Sequence, residues 1–370
     1  MLSCQMRILH YYDKNDAMVS QHVKLLTSSM DMEAESHTAT EAEQARTLLK
    51  GGGYDVLHLH GCWRNSSRSI VSLAFKQQAR LVVTPHGQLE PWVQEENRWR
   101  EKLPKRLLYQ RRIVQQAYAV IIQGAMEQEC LQHLDWNPRT VIIRNAVITN
   151  SITPQDMAHQ TFMLYRKILD SNTWELMTDE TRQLLHCLIE AGITGDRRWL
   201  NRSEPLPLVN ANEWRKLICY AHQERIMDTL NKGARVLETD MPDIDPSHID
   251  YFLPHDFHQA DSIQQTIGYQ FPSENERLLA TFRYLRKLAA GRGLGISHLV
   301  ELTRELREHG CDEEELGEEL KERHLWRLVS RLMQVAADMT GLTEGFMPIQ
   351  PTNDRTARRL RKLIENHLKI

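Results

Sequence analysis

The sequence predicts an α/β domain with a parallel sheet over residues 1–150, followed by a mostly α-helical region over residues 151–370. Three apolar runs predict the sheet, namely Tyr54–Gly61 (YDVLHLHG), Arg80–Gly87 (RLVVTPHG) and Val141–Val147 (VIIRNAV). Short apolar runs separated by helical segments are typical of buried parallel strands. Each run carries His, Gly or Asn near its end, and ligands of open α/β sheets bind outside the carboxyl ends of the strands. We therefore expect a ligand site at these three ends.

The first elements follow in chain order from the hydrophobic pattern. Arg7–Tyr12 is predicted as the first strand, and a helix is expected around Ser20–Met30 because apolar residues recur there at helical spacing. A polar stretch rich in Glu and Thr comes next, and we expect it to be helical. It ends at Gly51–Gly53, a run of three glycines that indicates a helix end and a turn.

The rest of the first part continues the alternation of strand and helix. After the Tyr54 strand we expect a helix over Ser67–Ala79, the Leu81 strand, a long basic helix over Lys102–Ala117, a strand over Tyr118–Gln123, a short helix over Ala125–Leu134 and the Val141 strand. This alternation predicts a parallel sheet, and the right-handed crossovers that join parallel strands make it Rossmann-like.

The pattern changes near residue 150. Thr153–Asp156 reads as a helix start, with Thr as N-cap, Pro at the first helical position and an acid in the first turn. Ser273–Glu276 forms a capping-box pattern that predicts a helix over Glu274–Ala290. No second series of alternating strands and helices is evident.

Composition limits the classes of function. Hydrophobic residues make up 41% of the 370 residues and charged residues 26%, which fits a globular protein. The net charge of -3 predicts no bulk attraction to nucleic acid. The six cysteines form no CxxC pair, which argues against a disulfide framework or a structural zinc site. We expect a cytoplasmic protein, because no secretory leader and no long apolar window are evident.

Histidines at the strand ends are the main candidate site residues. His58 and His60 lie two apart on a strand and so face the same side, with Cys62 and His86 nearby in the pattern. Three interpretations stay open for them: a metal site, buried structural histidines, or polar groups lining a ligand crevice.

The candidates near the ends of the other two runs are His86-Gly87 and Asn145. Gly87 permits a close approach of backbone to a ligand, and His86 can hydrogen-bond a hydroxyl in either protonation state. A solvent-facing turn is the alternative for His86. Asn145 can contact a ligand, or simply end its strand in a left-handed turn.

Cations alternate with aromatic residues between Trp92 and Arg112. Candidates for contact with phosphate or a membrane surface are Arg98, Lys102, Lys105 and Arg106. A basic residue near an acidic lipid surface contributes about 1 kcal/mol. A solvated helix face is the alternative, and no nucleic-acid-binding motif accompanies the cations.

The first 150 residues or so resemble the N-terminal domain of the family-4 (group 1) glycosyltransferases, which are retaining two-domain enzymes. The motifs that carry the resemblance, in order, are YDVLHLHG, VVTPHGQLEPW, KLPKRLLY, AYAVIIQGAMEQECL and VIIRNAV. The resemblance implies that His60, His86, Gly87 and Asn145 line the acceptor side of a cleft, with His86 as the catalytic group nearest the transferred sugar.

The resemblance further implies a hexosyl-type transferase acting in polysaccharide biosynthesis. Its substrates would be a nucleotide-sugar donor and a glycan or lipid-linked acceptor, with no cofactor, no metal and no nucleic acid. Peripheral contact with the inner membrane is implied as well.

Three departures from the family pattern motivate an alternative. The loop Asp13–Ala17 has no glycine, Ala146 replaces the usual glycine, and no donor-binding domain with a Glu-x7-Glu pair is recognisable. The alternative is a non-catalytic glycan-binding scaffold, or the acceptor half of a split glycosyltransferase that works with a partner protein.

Overall fold

The computed structural model describes residues 5–30, 34–95, 102–197, 205–254, 260–268, 270–291 and 293–369. The chain divides into two compact units. The N-terminal unit comprises Met1–Ser171 with Asp250–Phe252, and the C-terminal unit comprises Asn172–Ile249 with Leu253–Ile370.

The N-terminal unit is built on a parallel sheet, which confirms the predicted α/β fold. The strands are β1 (Met6–Tyr11), β2 (Ala34–Ala39), β3 (Val56–His60), β4 (Arg80–Thr84), β5 (Ala119–Ile122) and β6 (Thr140–Ile142). They lie in the order β2-β1-β3-β4-β5-β6, and every neighbouring pair is parallel.

The expectation of a helix before Gly51 is wrong for the segment Ala34–Ala39 (AESHTA), which forms β2. This strand lies at an edge of the sheet and pairs only with β1. Of its residues only Ala39 is buried. Its sequence is therefore polar, like that of an exposed helix face, and lacks the apolar run of a buried strand. The predicted helix is confined to Ala42–Lys50.

Helices cover both faces of the sheet. They are α1 (Ala17–Ser28), α2 (Ala42–Lys50), α3 (Ser67–Lys76), α4 (Pro91–Glu95), α5 (Leu103–Lys105), α6 (Arg111–Gln116), α7 (Ala125–Leu134) and α8 (Pro154–Asp170). Side chains alternate across each strand, so β1 sends Leu9 into the core shared with α2, α3 and α6, and Ile8 into the core shared with α1 and α8.

Helix α8 packs on the sheet through Met157, Phe162 and Tyr165. The compact N-terminal unit therefore extends to Ser171, beyond the change of pattern near residue 150. Thr153 caps α8 as its sequence pattern predicts, since its side chain accepts a hydrogen bond from the N–H of Asp156.

The basic segment between α5 and α6 is helical throughout, but Arg106–Gln110 forms a π-helical turn. Such turns occur often at functional sites. In this turn Tyr109 and Gln110 are buried while Leu107 and Leu108 are exposed.

The C-terminal unit is largely helical, as predicted, and its described residues include no strand. Its helices are α9 (Asp179–Thr194), α10 (Ala211–Gln223), α11 (Met227–Val236), α12 (Ile263–Ile267), α13 (Glu274–Ala290), α14 (Ile296–Glu308), α15 (Glu313–Glu322), α16 (Trp326–Thr340) and α17 (Arg355–Glu365). Ser273 caps α13 by accepting from the N–H of Glu276. Among the described residues, no helix has the length and apolarity needed to cross a bilayer.

Candidate functional site

The strand order places a crevice at a defined point of the sheet. The chain passes from β1 outward to β2 and then returns to β3 on the other side of β1, so the order reverses between β1 and β3. Open α/β sheets bind ligands at such a switch point, outside the carboxyl ends of the strands. His10 of β1 and His58 of β3 are register partners there, and His60 is the last residue of β3.

Five buried histidines form a network at this edge of the sheet. Its members, none more than 8% exposed, are His10, His22, His58, His60 and His86. They come from β1, α1, β3 and the segment after β4, so the fold assembles them from four separate parts of the chain. We call this group the histidine network.

A chain of hydrogen bonds runs through three of these rings. The side-chain nitrogen of Gln123 lies 2.7 Å from Nδ1 of His86, Nε2 of His86 lies 3.2 Å from Nδ1 of His60, and Nε2 of His60 lies 3.0 Å from Nδ1 of His10. With the Gln123 amide as donor, each ring accepts at Nδ1 and donates from Nε2. The chain ends at Nε2 of His10, which is buried without a partner among the described residues.

The rings of His58 and His22 are hydrogen-bonded to residues outside the histidine network. His58 lies between the Tyr165 hydroxyl, 2.6 Å from Nδ1, and the Thr84 hydroxyl, 2.7 Å from Nε2. Nδ1 of His22 lies 3.0 Å from Oδ1 of Asn145. Because an amide oxygen only accepts, His22 donates from Nδ1, and its Nε2 carries a lone pair.

Burial keeps the network neutral. Desolvation lowers the pKa of His10 to about 3, with a smaller contribution from the charge of His22. Burial is also the main reason that the pKa values of His58, His60 and His86 fall well below the usual value. The pKa of His22 is lowered by burial, against the hydrogen bond to Asn145. Neutral imidazoles at pH 7 can accept hydrogen bonds and can ligate metal ions.

Three residues just after β3 and β4 have left-handed backbone conformations. Gly61 follows β3 with φ +85°, and His86 and Gly87 follow β4 with φ +54° and +77°. A left-handed histidine is uncommon, and such residues cluster at ligand sites. A Cβ on Gly61 would lie 3.2 Å from Oε1 of Gln88, so a larger residue there would press on the turn after β4.

Residues 14–146 match the family model described as "Glycosyl transferase 4-like domain". The N-terminal unit carries a glycosyl transferase 4-like domain. The match runs from the loop after β1 to the turn after β6, so it includes four of the five network histidines and excludes His10 of β1. No curated protein and no solved structure matches the chain.

Within the glycosyl transferase 4-like domain, Glu127 of α7 joins the ends of β4 and β5. Its carboxylate accepts the N–H of Gly87 at 2.7 Å and the N–H of Gln123 at 2.9 Å. Burial raises the pKa of this carboxyl, although both hydrogen bonds oppose the shift. The carboxylate therefore fixes the backbone at Gly87, directly after His86, and at Gln123, whose side chain bonds His86.

Replacing this carboxylate is expected to loosen the strand ends. Glu127→Gln puts an amide nitrogen against one of the two N–H donors, and a buried donor without an acceptor costs about 1–3 kcal/mol. We expect that loss in the free energy of unfolding, measured by urea titration. Glu129→Gln, on an exposed residue of the same helix, should stay within about 0.5 kcal/mol of the parent. Equal midpoints for both variants would contradict the role of Glu127.

The structure brings some of the predicted site residues together and separates others. His60, His86 and Gly87 lie at the same strand ends. Asn145 contacts the network through His22. It does not end a strand, contrary to expectation, because β6 ends at Ile142 and Asn145 starts the turn that follows. Lys102, Lys105 and Arg106 lie on the basic segment of α5 and the π-helical turn, and Arg98 lies outside the described residues.

Two sets of three histidines could hold a metal ion within the described part of the N-terminal unit. They are His10, His58 and His60, and His22, His60 and His86; in each set the three ligand atoms lie within 4.8 Å of one another. Cys62 belongs to neither set, and burial raises the pKa of its thiol.

Sequence reasoning missed His10, His22, Gln123 and Glu127 as members of the site. The sequence did contain an indication for His10. It lies on the predicted first strand, and in the parallel pair with β3 it is opposite His58. Another existed for His22, which shares the buried face of α1 with Val19, Val23 and Leu26. Asp16 caps α1 in the loop where the family has glycines, so the structure assigns this loop a helix-starting role.

Proposed function

We propose that this chain is a hexosyl-type glycosyltransferase of polysaccharide biosynthesis. It would move a sugar from a nucleotide-sugar donor to a glycan or lipid-linked acceptor, with no separate cofactor. The observation that supports this most is the left-handed pair His86-Gly87, at the carboxyl edge of the sheet of a glycosyl transferase 4-like domain. In this proposal His60, His86, Gly87 and Asn145 form the acceptor-side wall of the cleft.

His86 is the proposed catalytic residue. Its Nδ1 accepts from the Gln123 amide, and a sugar hydroxyl could take the place of that amide as donor. His60 would then hold the ring from the other side, at Nε2. The leaving diphosphate needs positive groups, and Arg144, exposed beside Asn145, and Lys102 are candidates.

The proposal is tested with UDP-, GDP- and dTDP-sugars, by following sugar release and thermal stability. We expect one donor class to stabilise the protein and to be turned over. His86→Gln should lower that turnover about 100-fold or more. His159→Gln, on an exposed histidine of α8, should retain it. Absence of turnover and of a stability shift with every donor would refute the catalytic proposal.

A second candidate function is supported by the C-terminal unit. Its described residues are helical and include no strand, whereas the resemblance implies a second sheet domain for the donor. We propose as the alternative the acceptor half of a split enzyme, or a glycan-binding scaffold that docks a partner protein. Calorimetric binding of acceptor glycans without binding of any nucleotide sugar would favour this alternative. Turnover by the purified chain alone would eliminate it.

We also propose that the basic segment contacts acidic lipid at the cytoplasmic face of the inner membrane. Leu107 and Leu108 are 76% and 66% exposed, and Trp92 is 55% exposed. The exposed cations Arg111 and Arg112 come directly after the π-helical turn, as the first two residues of α6. Exposed apolar side chains beside cations are typical of interfacial binding segments.

The double substitution Leu107→Ser, Leu108→Ser should weaken binding to vesicles that contain phosphatidylglycerol, because burial of a leucine contributes about 2 kcal/mol. Cosedimentation should show a fall in the bound fraction of tenfold or more. Arg358→Ser, on an exposed residue of α17, is the control and should bind like the parent. Equal binding of parent and double variant, or no binding by the parent, would refute the membrane contact.

A further inference from the structure

We propose that His22, His60 and His86 form a binding site for a divalent transition-metal ion, with Zn²⁺ as the expected ion. The three side chains come from α1, the end of β3 and the turn after β4, and each is at most 8% exposed. Three potential ligand atoms, one from each ring, lie within 4.8 Å of one another.

The distance between the two nearest ligand atoms fits shared coordination. Nδ1 of His60 and Nε2 of His86 are 3.2 Å apart. Two nitrogens bound tetrahedrally to one Zn²⁺ at 2.0–2.1 Å lie about 3.3 Å apart. We assign Nε2 of His22 as the third ligand atom, because Nδ1 of that ring already donates to Asn145.

The surroundings complete the pattern of a metal-binding histidine set. Ligating histidines usually donate their other N–H to an oxygen or to another fixed acceptor, which orients the ring. His22 donates from Nδ1 to Oδ1 of Asn145, and His60 donates from Nε2 to Nδ1 of His10. Nδ1 of His86 meets the side-chain amide of Gln123, whose oxygen accepts when the amide is turned over.

The alternative set of His10, His58 and His60 fits less well. Both nitrogens of His58 are hydrogen-bonded, to the Tyr165 and Thr84 hydroxyls at 2.6 and 2.7 Å. An ion there would have to displace one of these short contacts. In the preferred set, the ion would take the place of the hydrogen bond between His60 and His86. The proton of that bond would move to Nδ1 of His86, which then donates to the oxygen of the turned Gln123 amide.

The site offers three protein ligands, which leaves a coordination position for an oxygen ligand. Three-histidine zinc sites with one open position are of the kind that binds water or a substrate oxygen. Burial keeps all three imidazoles in the neutral form that a metal ion requires. The metal site shares His60 and His86 with the proposed sugar transfer, but metal binding is measured separately, because it needs no donor or acceptor.

The test uses the full chain, stripped with EDTA and then dialysed against limiting Zn²⁺ or Co²⁺. We expect about one ion bound per chain by elemental analysis, and the intense visible absorption of tetrahedral Co²⁺. His22→Gln and His86→Gln should each lower the affinity at least tenfold, as measured against a competing chelator. His159→Gln should bind like the parent.

Two further measurements keep the result decisive. His58→Gln retains all three proposed ligands and the hydrogen-bond partners that orient them, so it should bind like the parent, whereas the alternative set would lose one ligand. Circular dichroism confirms that each variant is folded before its affinity is compared. Less than about one-tenth of an ion per folded parent chain, or undiminished affinity in both His22→Gln and His86→Gln, would overturn the proposal.

Discussion

Lowering the pH from 7 to 5 is expected to destabilise the N-terminal unit by about 2 kcal/mol for each network histidine that stays neutral over this range. The folded pKa values of these residues lie below the unfolded value, since burial disfavours the charged ring. Below pH 6.5 the unfolded chain therefore binds protons that the folded chain does not. The stability is fully present above pH 6.5 and is lost as the pH falls. Several such losses together approach the whole stability of an ordinary domain.

Urea titrations of the chelator-treated protein at pH 7 and pH 5, read by pulsed hydrogen exchange, measure this loss in each unit. Peptides from β3 should lose protection at much lower urea at pH 5. Peptides from α13 should change less, because in the described part of the C-terminal unit burial lowers the pKa of one histidine, His298, against five in the network. In His10→Gln the unfolding free energy measured at β3 should depend less on pH, by the equivalent of about one bound proton. A parallel response of β3 and α13 in the parent would show that the histidine network does not control the acid sensitivity.

The second large effect is expected in the C-terminal unit, where α9 and α11 touch through two glycines. A Cβ on Gly192 would fall on the carbonyl oxygen of Thr229, and a Cβ on Gly233 would fall on that of Leu188. Neither obstacle is a flexible side chain, so the helices would have to separate. Gly192→Ala and Gly233→Ala should each cost about 3 kcal/mol or more, at the upper end of overpacking penalties.

A third glycine supplies the control. Gly317 lies inside α15, and a Cβ there would meet only a ring carbon of Trp326 at 3.5 Å. Gly317→Ala should therefore stabilise the helix by about 0.5–1 kcal/mol. Thermal or urea unfolding of the three variants measures these changes. A similar small effect of all three substitutions would mean that α9 and α11 tolerate a wider separation.

The fold was predictable wherever hydrophobic pattern and burial agree. The β3 and β4 runs are apolar because both faces of these strands are covered, and every residue of both strands is buried. The edge strand β2 escaped prediction because its side chains are mostly solvated and do not alternate clearly. The β6 run was predicted too long, since only Thr140–Ile142 pairs with β5.

Only the site residues that directly follow predicted strands could be predicted from the sequence. His60, His86 and Gly87 follow apolar runs, so the strand rule located them. His22 and Glu127 lie on helices, and their roles arise from contacts with residues distant in sequence, such as Asn145, which is 123 positions from His22. Such contacts depend on strand order and crossover geometry, which one sequence does not specify.

The separation between His22 and Asn145 also has a consequence for biosynthesis. At the usual 5–20 residues per second, Asn145 leaves the ribosome about 6–25 s after His22. Tyr165, the partner of His58, follows later still. During that interval β1 and α1 are already synthesised, while the imidazoles at the carboxyl edge lack these two partners. The hydrogen bonds of His22 to Asn145 and of His58 to Tyr165 can therefore both be in place only after α8 has emerged.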